Sequence, residues 1–280
     1  MTQVASPPTT SSADEIASHV LAALADRRQI EPLTTRAEGL ELGQAYRVTA
    51  AVREAREARG ERVVGRKIGF TNRTIWAEYG VHAPIWSYVY DTTLHRLADM
   101  SGGFDLSALI EPRIEPEVVF GLGRAPQPGM DGRALLGCVE WVAHGFEVVQ
   151  SLFPGWRFGL ADTVAAFGLH GALLVGPREL ITTANADLWH DRLAGFEITL
   201  VRDGVDADHG HASNVLGGGP LAALGHLVEV LATDRSNPPL APGEIVATGT
   251  LTRALPIKVG ERWSARLDGL PLAGISAVFA

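Results

Sequence analysis

The chain has 280 residues, 46% of them hydrophobic, enough to bury a substantial core as one large domain or as one domain with a helical appendage. Its 24 Lys+Arg against 32 Asp+Glu give a formal net charge of −8, and no basic run forms a stripe able to neutralise phosphates, which argues against nucleic-acid binding while permitting a locally positive pocket. The single cysteine, Cys138, excludes an intrachain disulfide framework; with no secretory-type leader and no apolar run near the ~20 residues that span a bilayer, the expectation is a cytoplasmic protein that does not enter a membrane.

Residues 1–13, rich in Ser, Thr and Pro, read as a mobile tail that ends at Ser12, a helix cap with Glu15 three positions later. Ile16, Val20, Leu21 and Leu24, then Leu42, Tyr46 and Val52, recur at helical spacing, and Pro32 separates two helices. From Val63 the pattern changes to short apolar runs punctuated by glycine, as in VVGRKIGFT, predicting a strand and then a long turn-prone connection flanked by two tryptophans. Further strands are expected at 114–123, 170–176, 196–204, 244–251 and along the C-terminal segment. Helices are expected at 137–153, on the stripe Val139, Val142, Phe146, Val149 and Phe153, and at 220–232, opened by Pro220 after three glycines. The fold class is therefore α+β: a tail (1–13), an N-terminal helical and α+β part (14–95), and a β-rich catalytic domain (96–280) with a twisted antiparallel or mixed sheet.

In a strand, residues two apart share a face, so Glu115 and Glu117 present two carboxylates side by side. Their repulsion is relieved by a cation, and carboxylate oxygens suit Mg²⁺ or Mn²⁺; the competing reading is a solvated edge strand, which Pro116 would fit. A third acid from 137–153 would complete a metal site, and the pattern leaves Glu140, Glu147 and also His144 as candidates. Lys67, between Gly65 and Gly69 in an apolar strand, needs an exit to solvent or an anionic partner. Asp162 reads as a cap or turn residue, His170 as a histidine at a glycine-flanked strand start, and His209–Gly210–His211 as an exposed turn. LGGGP lacks a following GK[ST], and no GxSxG, HExxH or Cys/His zinc spacing occurs, so neither a nucleotide cofactor nor a serine or zinc hydrolase is indicated.

The segments GRKIGFTNR (65–73), EPRIEPEVVFGLG (111–123), HGFEVVQSLFPGWRFGLADTVA (144–165), SNVLGGGPLAAL (213–224) and GTLTRALPIKVGERWSARLDGLPLAGISAVF (249–279), in this order, resemble the 2-keto-4-pentenoate hydratase and 4-oxalocrotonate decarboxylase group of the fumarylacetoacetate hydrolase superfamily. The resemblance covers most of the chain. It implies a mixed β-sheet roll, Mg²⁺ or Mn²⁺ held by Glu115, Glu117 and Glu147 (with Glu147 on a helix), and Lys67 in the active site. It further implies Asp162 and His170 as groups handling water, and Arg113, Asp91 and Thr252 as substrate-binding. The implied activity is addition of water to a 2-hydroxy-2,4-dienoate, with decarboxylation of a 2-oxo diacid or carbon–carbon hydrolysis of an acylpyruvate as alternatives, on a small 2-oxo acid and in a homo-oligomer. A non-catalytic metabolite-binding protein is the alternative from another class. The sequence departs from the commonest hydratase pattern at Phe167, Leu169 and His170, where polar residues such as Asn and Ser are expected, and at Thr92, where a second acid is frequent after Asp91.

Overall fold

A computed structural model describes residues 11–280; residues 1–10, most of the expected tail, lie outside the described residues. Ser12 caps α1 (Ala13–Ala25) reciprocally: its hydroxyl accepts the Glu15 N–H at 3.2 Å and the Glu15 carboxylate accepts the Ser12 N–H at 2.8 Å. α1 packs on α2 (Leu42–Ala58) through Ile16, Val20, Val48 and Val52, with the break between them at Pro32, as the spacing predicts.

After the helical pair come β1 (Val63–Gly69), α3 (Trp76–Tyr79), β2 (Ile85–Tyr90), β3 (Leu94–Arg96), β4 (Arg113–Leu122), α4 (Gly132–Leu136) and β5 (Val139–Val149). The chain continues through α5 (Leu160–Ala165), β6 (His170–Leu180), α6 (Ala186–Leu193), β7 (Glu197–Arg202), β8 (Val205–His211) and α7 (Pro220–Thr233) to β9 (Ile245–Ala247), β10 (Leu255–Pro256), β11 (Arg262–Asp268) and β12 (Ile275–Val278). An eight-stranded sheet runs β2-β1-β9-β4-β5-β6-β3 with β10 on β4, and a four-stranded sheet runs β12-β11-β7-β8. The large sheet is mixed: β1 pairs parallel with β9 and β3 with β6, the other pairs being antiparallel. Strands from both sides of residue 95 belong to this sheet, and β3 straddles that position.

One face of the large sheet, with Val118, Phe120, Val142, Phe146 and Val148, closes a core with Ile198, Leu200, Ala265 and Ile275 of the small sheet and Leu224 and Leu227 of α7. The opposite face of β4 and β5 carries Glu117, Val119, Ala143 and Glu147, all buried. Cover on both faces explains the main departure from expectation. Residues 139–149 form β5, not a helix: a strand buried on both sides reads as a nearly continuous apolar run, and its apolar residues happen to fall at helical intervals. The valines at 139, 142, 148 and 149 and the mid-segment Gly145 favour the strand. Two further corrections follow. The connection after β1 contains the fully buried strand β2, and His209–His211 lie in β8 rather than in a turn.

Candidate metal centre

The antiparallel register of β4 and β5 sets Glu147 directly opposite Glu115, and Gly145 opposite Glu117. With Glu115 and Glu117 two residues apart on one face, three carboxylates converge, one oxygen from each lying within 4.8 Å of the others. Glu117 and Glu147 are fully buried, and Glu115 is at the partly open edge. Strand parity thus separates what a helical reading left open: Glu140 is exposed, while Glu147 joins the pair. His144 lies in the core between the sheets, away from the carboxylates, where burial pushes its pKa down to about 4 and keeps it neutral.

Lys67 reaches this cluster from β1. β9 intervenes, with Ala247 in register between Lys67 and Val119, and its small side chain leaves the lysine a path across the sheet. The Lys67 Nζ lies 3.2 Å from Glu147 Oε2 and donates to the Gly168 carbonyl at 2.9 Å. Burial alone would lower the Lys67 pKa, but Glu147, Glu115 and Glu117 outweigh it and raise the value, so the amine stays charged. Burial raises Glu115 to about 7 against the relief given by Lys67, and raises Glu117 well above the usual carboxylate range, with Glu147 and Glu115 adding to the effect. Burial would also raise Glu147, but Lys67 and the His170 hydrogen bond together bring it below its ordinary value.

The donors fit a hard divalent cation. Glu117 Oε2 accepts the Gly249 N–H at 2.9 Å, and Glu147 Oε1 is 2.7 Å from His170 Nδ1. Among the described residues, however, buried Glu117 Oε1 has no hydrogen-bond partner, and buried Glu147 Oε2 has only the Lys67 ammonium, 3.2 Å away. Buried carboxylate oxygens without donors are costly unless an ion takes them, and an all-oxygen set of three carboxylates matches Mg²⁺ or Mn²⁺ rather than a soft metal.

The remaining expected residues divide. His170 is brought to the site, with Nδ1 on Glu147 and Nε2 2.9 Å from Thr93 Oγ1, so it touches the Glu147 carboxylate rather than open pocket. Arg113 shares the face of Glu115, stacks over Trp156 at 4.2 Å and donates to the Tyr79 hydroxyl at 2.7 Å. Asp162 is buried away from the pocket, its oxygens accepting the Thr34 N–H (2.9 Å), the Thr34 hydroxyl (2.6 Å) and the Gly159 N–H (2.7 Å), which is a capping role. Asp91 pairs with Arg62 at 2.9 Å, beyond the far end of β2. Thr252 is buried and donates to the Arg253 carbonyl, holding the segment that leads to Ala254.

Above Glu115 and Lys67 lies a small pocket walled by Phe70, Ile75, Tyr79, Ile85, Trp156, Leu169 and Ala254. Sequence reasoning passed over Tyr79 and Trp156, which sit in single-turn helical pieces too short to leave a periodic pattern, and Thr93, Gly168 and Gly249, whose roles arise from contacts between residues far apart in the chain. The aromatic content of FPGWRF was the one local signal.

No family model matches the chain. It is 32% identical to the 2-keto-4-pentenoate hydratase 2 of Dechloromonas aromatica over 96% of this chain and 98% of that protein. It is 30% identical to the 2-hydroxyhexa-2,4-dienoate hydratase of Comamonas testosteroni over 90% and 92%, and 29% identical to the 4-oxalocrotonate decarboxylase of a Pseudomonas species over 94% and 95%. Among solved structures, the 4-oxalocrotonate decarboxylase of Pseudomonas putida G7, complexed with magnesium and adipate, superposes with a TM-score of 0.84 at 25% identity, covering 96% of this chain and 97% of that one. The fumarylpyruvate hydrolase of Pseudomonas aeruginosa, in complex with Mn²⁺ and pyruvate, shares the fold at a TM-score of 0.56 and 16% identity over 77% and 88%.

Proposed function

Because the chain belongs to the 2-keto-4-pentenoate hydratase and 4-oxalocrotonate decarboxylase family of the fumarylacetoacetate hydrolase superfamily, we propose that it is a metal-dependent lyase adding water to a 2-hydroxy-2,4-dienoate to give a 4-hydroxy-2-oxo acid. The observation that carries this reading is the convergence of Glu115, Glu117 and Glu147 with the Lys67 ammonium beneath a small, mostly apolar pocket. The proposed ion is Mg²⁺ or Mn²⁺, supported by the oxygen-only donor set. Bound there, it would supply Lewis acidity toward the carboxylate and 2-oxo oxygens of the substrate.

Each residue's role follows from its surroundings. Glu115, Glu117 and Glu147 would hold the cation. Lys67, held protonated by three carboxylates, is the cationic donor lining the pocket, so it neutralises developing negative charge at Nζ. Arg113 orients the Tyr79 phenol at the pocket wall while its guanidinium lies on Trp156. Phe70, Ile75, Ile85 and Leu169 keep bulk water off the reacting chain. The proposed catalytic unit begins at β1, because Lys67 belongs to it. Homo-oligomeric assembly, a cytoplasmic location and a substrate supplied by aromatic-ring cleavage complete the proposal on family grounds alone.

One observation favours decarboxylation of a 2-oxo diacid as the second reading. Asp162 is consumed by capping and His170 by Glu147 and Thr93, so neither is free to activate water, and loss of CO₂ needs no such base. Incubation with Mg²⁺ and a panel of 2-hydroxydienoates and 2-oxo diacids, followed by mass spectrometry, separates the outcomes: gain of water supports the hydratase and loss of CO₂ the decarboxylase. Cleavage to pyruvate and an acid, or no turnover of any member, overturns both.

A further inference from the structure

The departures at Phe167, Leu169 and His170 lie in one short turn. Phe167, Gly168 and Leu169 all have positive φ, at 61°, 60° and 64°, a run of left-handed residues of which only one is glycine. Two contacts emerge from this turn. The Gly168 carbonyl accepts from Lys67 Nζ at 2.9 Å, and two residues on, His170 Nδ1 lies 2.7 Å from Glu147 Oε1. The turn is itself pinned: the Gln150 N–H donates to the Leu169 carbonyl at 2.8 Å, and a Cβ at Gly168 would stand 2.8 Å from the Ser87 Cβ and 3.2 Å from the Lys67 Cδ.

We infer that the Phe167–His170 turn is a positioning clamp for the metal site: Gly168 fixes the Lys67 ammonium, and His170, oriented by Thr93, fixes the Glu147 carboxylate so that Oε2 is the oxygen left for the cation. The chemistry determines the direction of each bond. An ionised Glu147 only accepts, so His170 Nδ1 carries the proton and donates; its Nε2 then accepts from the Thr93 hydroxyl at 2.9 Å. Thr93 is held in turn by the Tyr90 N–H, which donates to Oγ1 at 3.2 Å, and by its own carbonyl, which accepts the Leu173 N–H at 2.8 Å. The result is a chain, Tyr90 to Thr93 to His170 to Glu147, running from backbone to ligand oxygen. Oε2 of Glu147, with the Lys67 ammonium 3.2 Å away, is its far end. An imidazole donating to a metal-binding carboxylate fixes its rotamer and its charge, and loss of such a partner costs ~10- to 100-fold in metal affinity. His170 is a positioning residue, not a catalytic one.

This inference rests on the proposed metal site, so the test measures metal binding in the absence of substrate. Mn²⁺ is titrated into the full-length metal-free protein and the free ion followed by electron paramagnetic resonance. Binding is compared among the wild type, His170→Leu, His170→Asn and Thr93→Val, with thermal unfolding as the check on folding. The expected results are a ~10- to 100-fold weaker Mn²⁺ affinity in His170→Leu, recovery to within about threefold in His170→Asn, whose amide N–H replaces Nδ1–H, and an intermediate loss in Thr93→Val. Wild-type affinity in His170→Leu overturns the clamp, as does equal loss in His170→Leu and His170→Asn. Should His170→Leu fail to fold, wild-type affinity in Thr93→Val overturns it instead. Absence of Mn²⁺ binding by the wild type would overturn the metal site itself, a failure distinguishable from that of the clamp.

Discussion

Glu115 and Glu147 stand directly opposite each other across the β4–β5 ladder, a placement that like charges disfavour, with Glu117 two residues away on the same face. Without a cation, these carboxylates burden the fold they belong to. Glu115→Gln and Glu117→Gln are therefore expected to raise the melting temperature of the metal-free protein while abolishing both the rise that Mg²⁺ brings and the metal-dependent activity. Calorimetry with EDTA or Mg²⁺ tests this; a Mg²⁺-induced rise that survives in both variants refutes the triad.

The same repulsion sets a pH dependence. Burial raises Glu115 to about 7 from an ordinary value of 4.5, so the folded state holds this proton to higher pH than the unfolded state does. Because the native state binds more protons in that window, this contribution to stability falls as pH rises from about 4.5 to about 7 and levels off above. The metal-free wild type is expected to lose melting temperature across the window relative to Glu115→Gln, and Mg²⁺ to restore it increasingly toward neutral pH. Parallel profiles for wild type and variant would contradict this assignment.

Lys67→Met removes the ammonium that faces the three carboxylates while keeping most of the length of the side chain. Turnover is expected to fall by ~10² or more, the usual scale for a lost donor that stabilises developing charge. Mn²⁺ affinity should stay level or tighten, since a positive charge beside the ion has gone. Weakened Mn²⁺ binding with little change in turnover would reverse the assignment of roles.

Asp162 offers a contrast between structural and chemical roles. Its carboxylate satisfies the Thr34 N–H, the Thr34 hydroxyl and the Gly159 N–H in a buried setting, so Asp162→Ala is expected to cost roughly 3 kcal/mol of stability in urea unfolding. The kcat of the folded fraction should change by less than about threefold. A 100-fold drop in kcat at wild-type stability would return Asp162 to the chemistry.

Local pattern was enough for the α1 cap, the helix opened by Pro220, and the Glu115–Glu117 pair, because each depends on residues within one turn or one strand repeat. It failed at β5, where burial on both faces removed the period-2 signal and left a stripe that imitates a helix. Glu147 was singled out by family resemblance, on an element of the wrong kind. The pairing that brings it to Glu115 is a register across two strands, to which neither strand's own sequence points. His170 was legible as a departure, but its partners, Glu147 and Thr93, lie 23 and 77 residues away. Asp162 fits a cap by its local sequence and the pocket by resemblance, and its bonds to Thr34 and Gly159 are those of a cap.

The place of β9 also constrains how the protein comes into being. Ile245–Ala247 fill the slot between β1 and β4, and the backbone two residues beyond holds Glu117 through Gly249. On the ribosome, Lys67, Glu115, Glu117 and Glu147 are all synthesised long before that slot can be filled. The nascent chain therefore carries its charged centre incomplete until the segment Ile245–Gly249 has been made. A chain terminated before Ile245 would carry the three acids on β4 and β5 and still lack both the strand that joins Lys67 to them and the Gly249 N–H that holds Glu117.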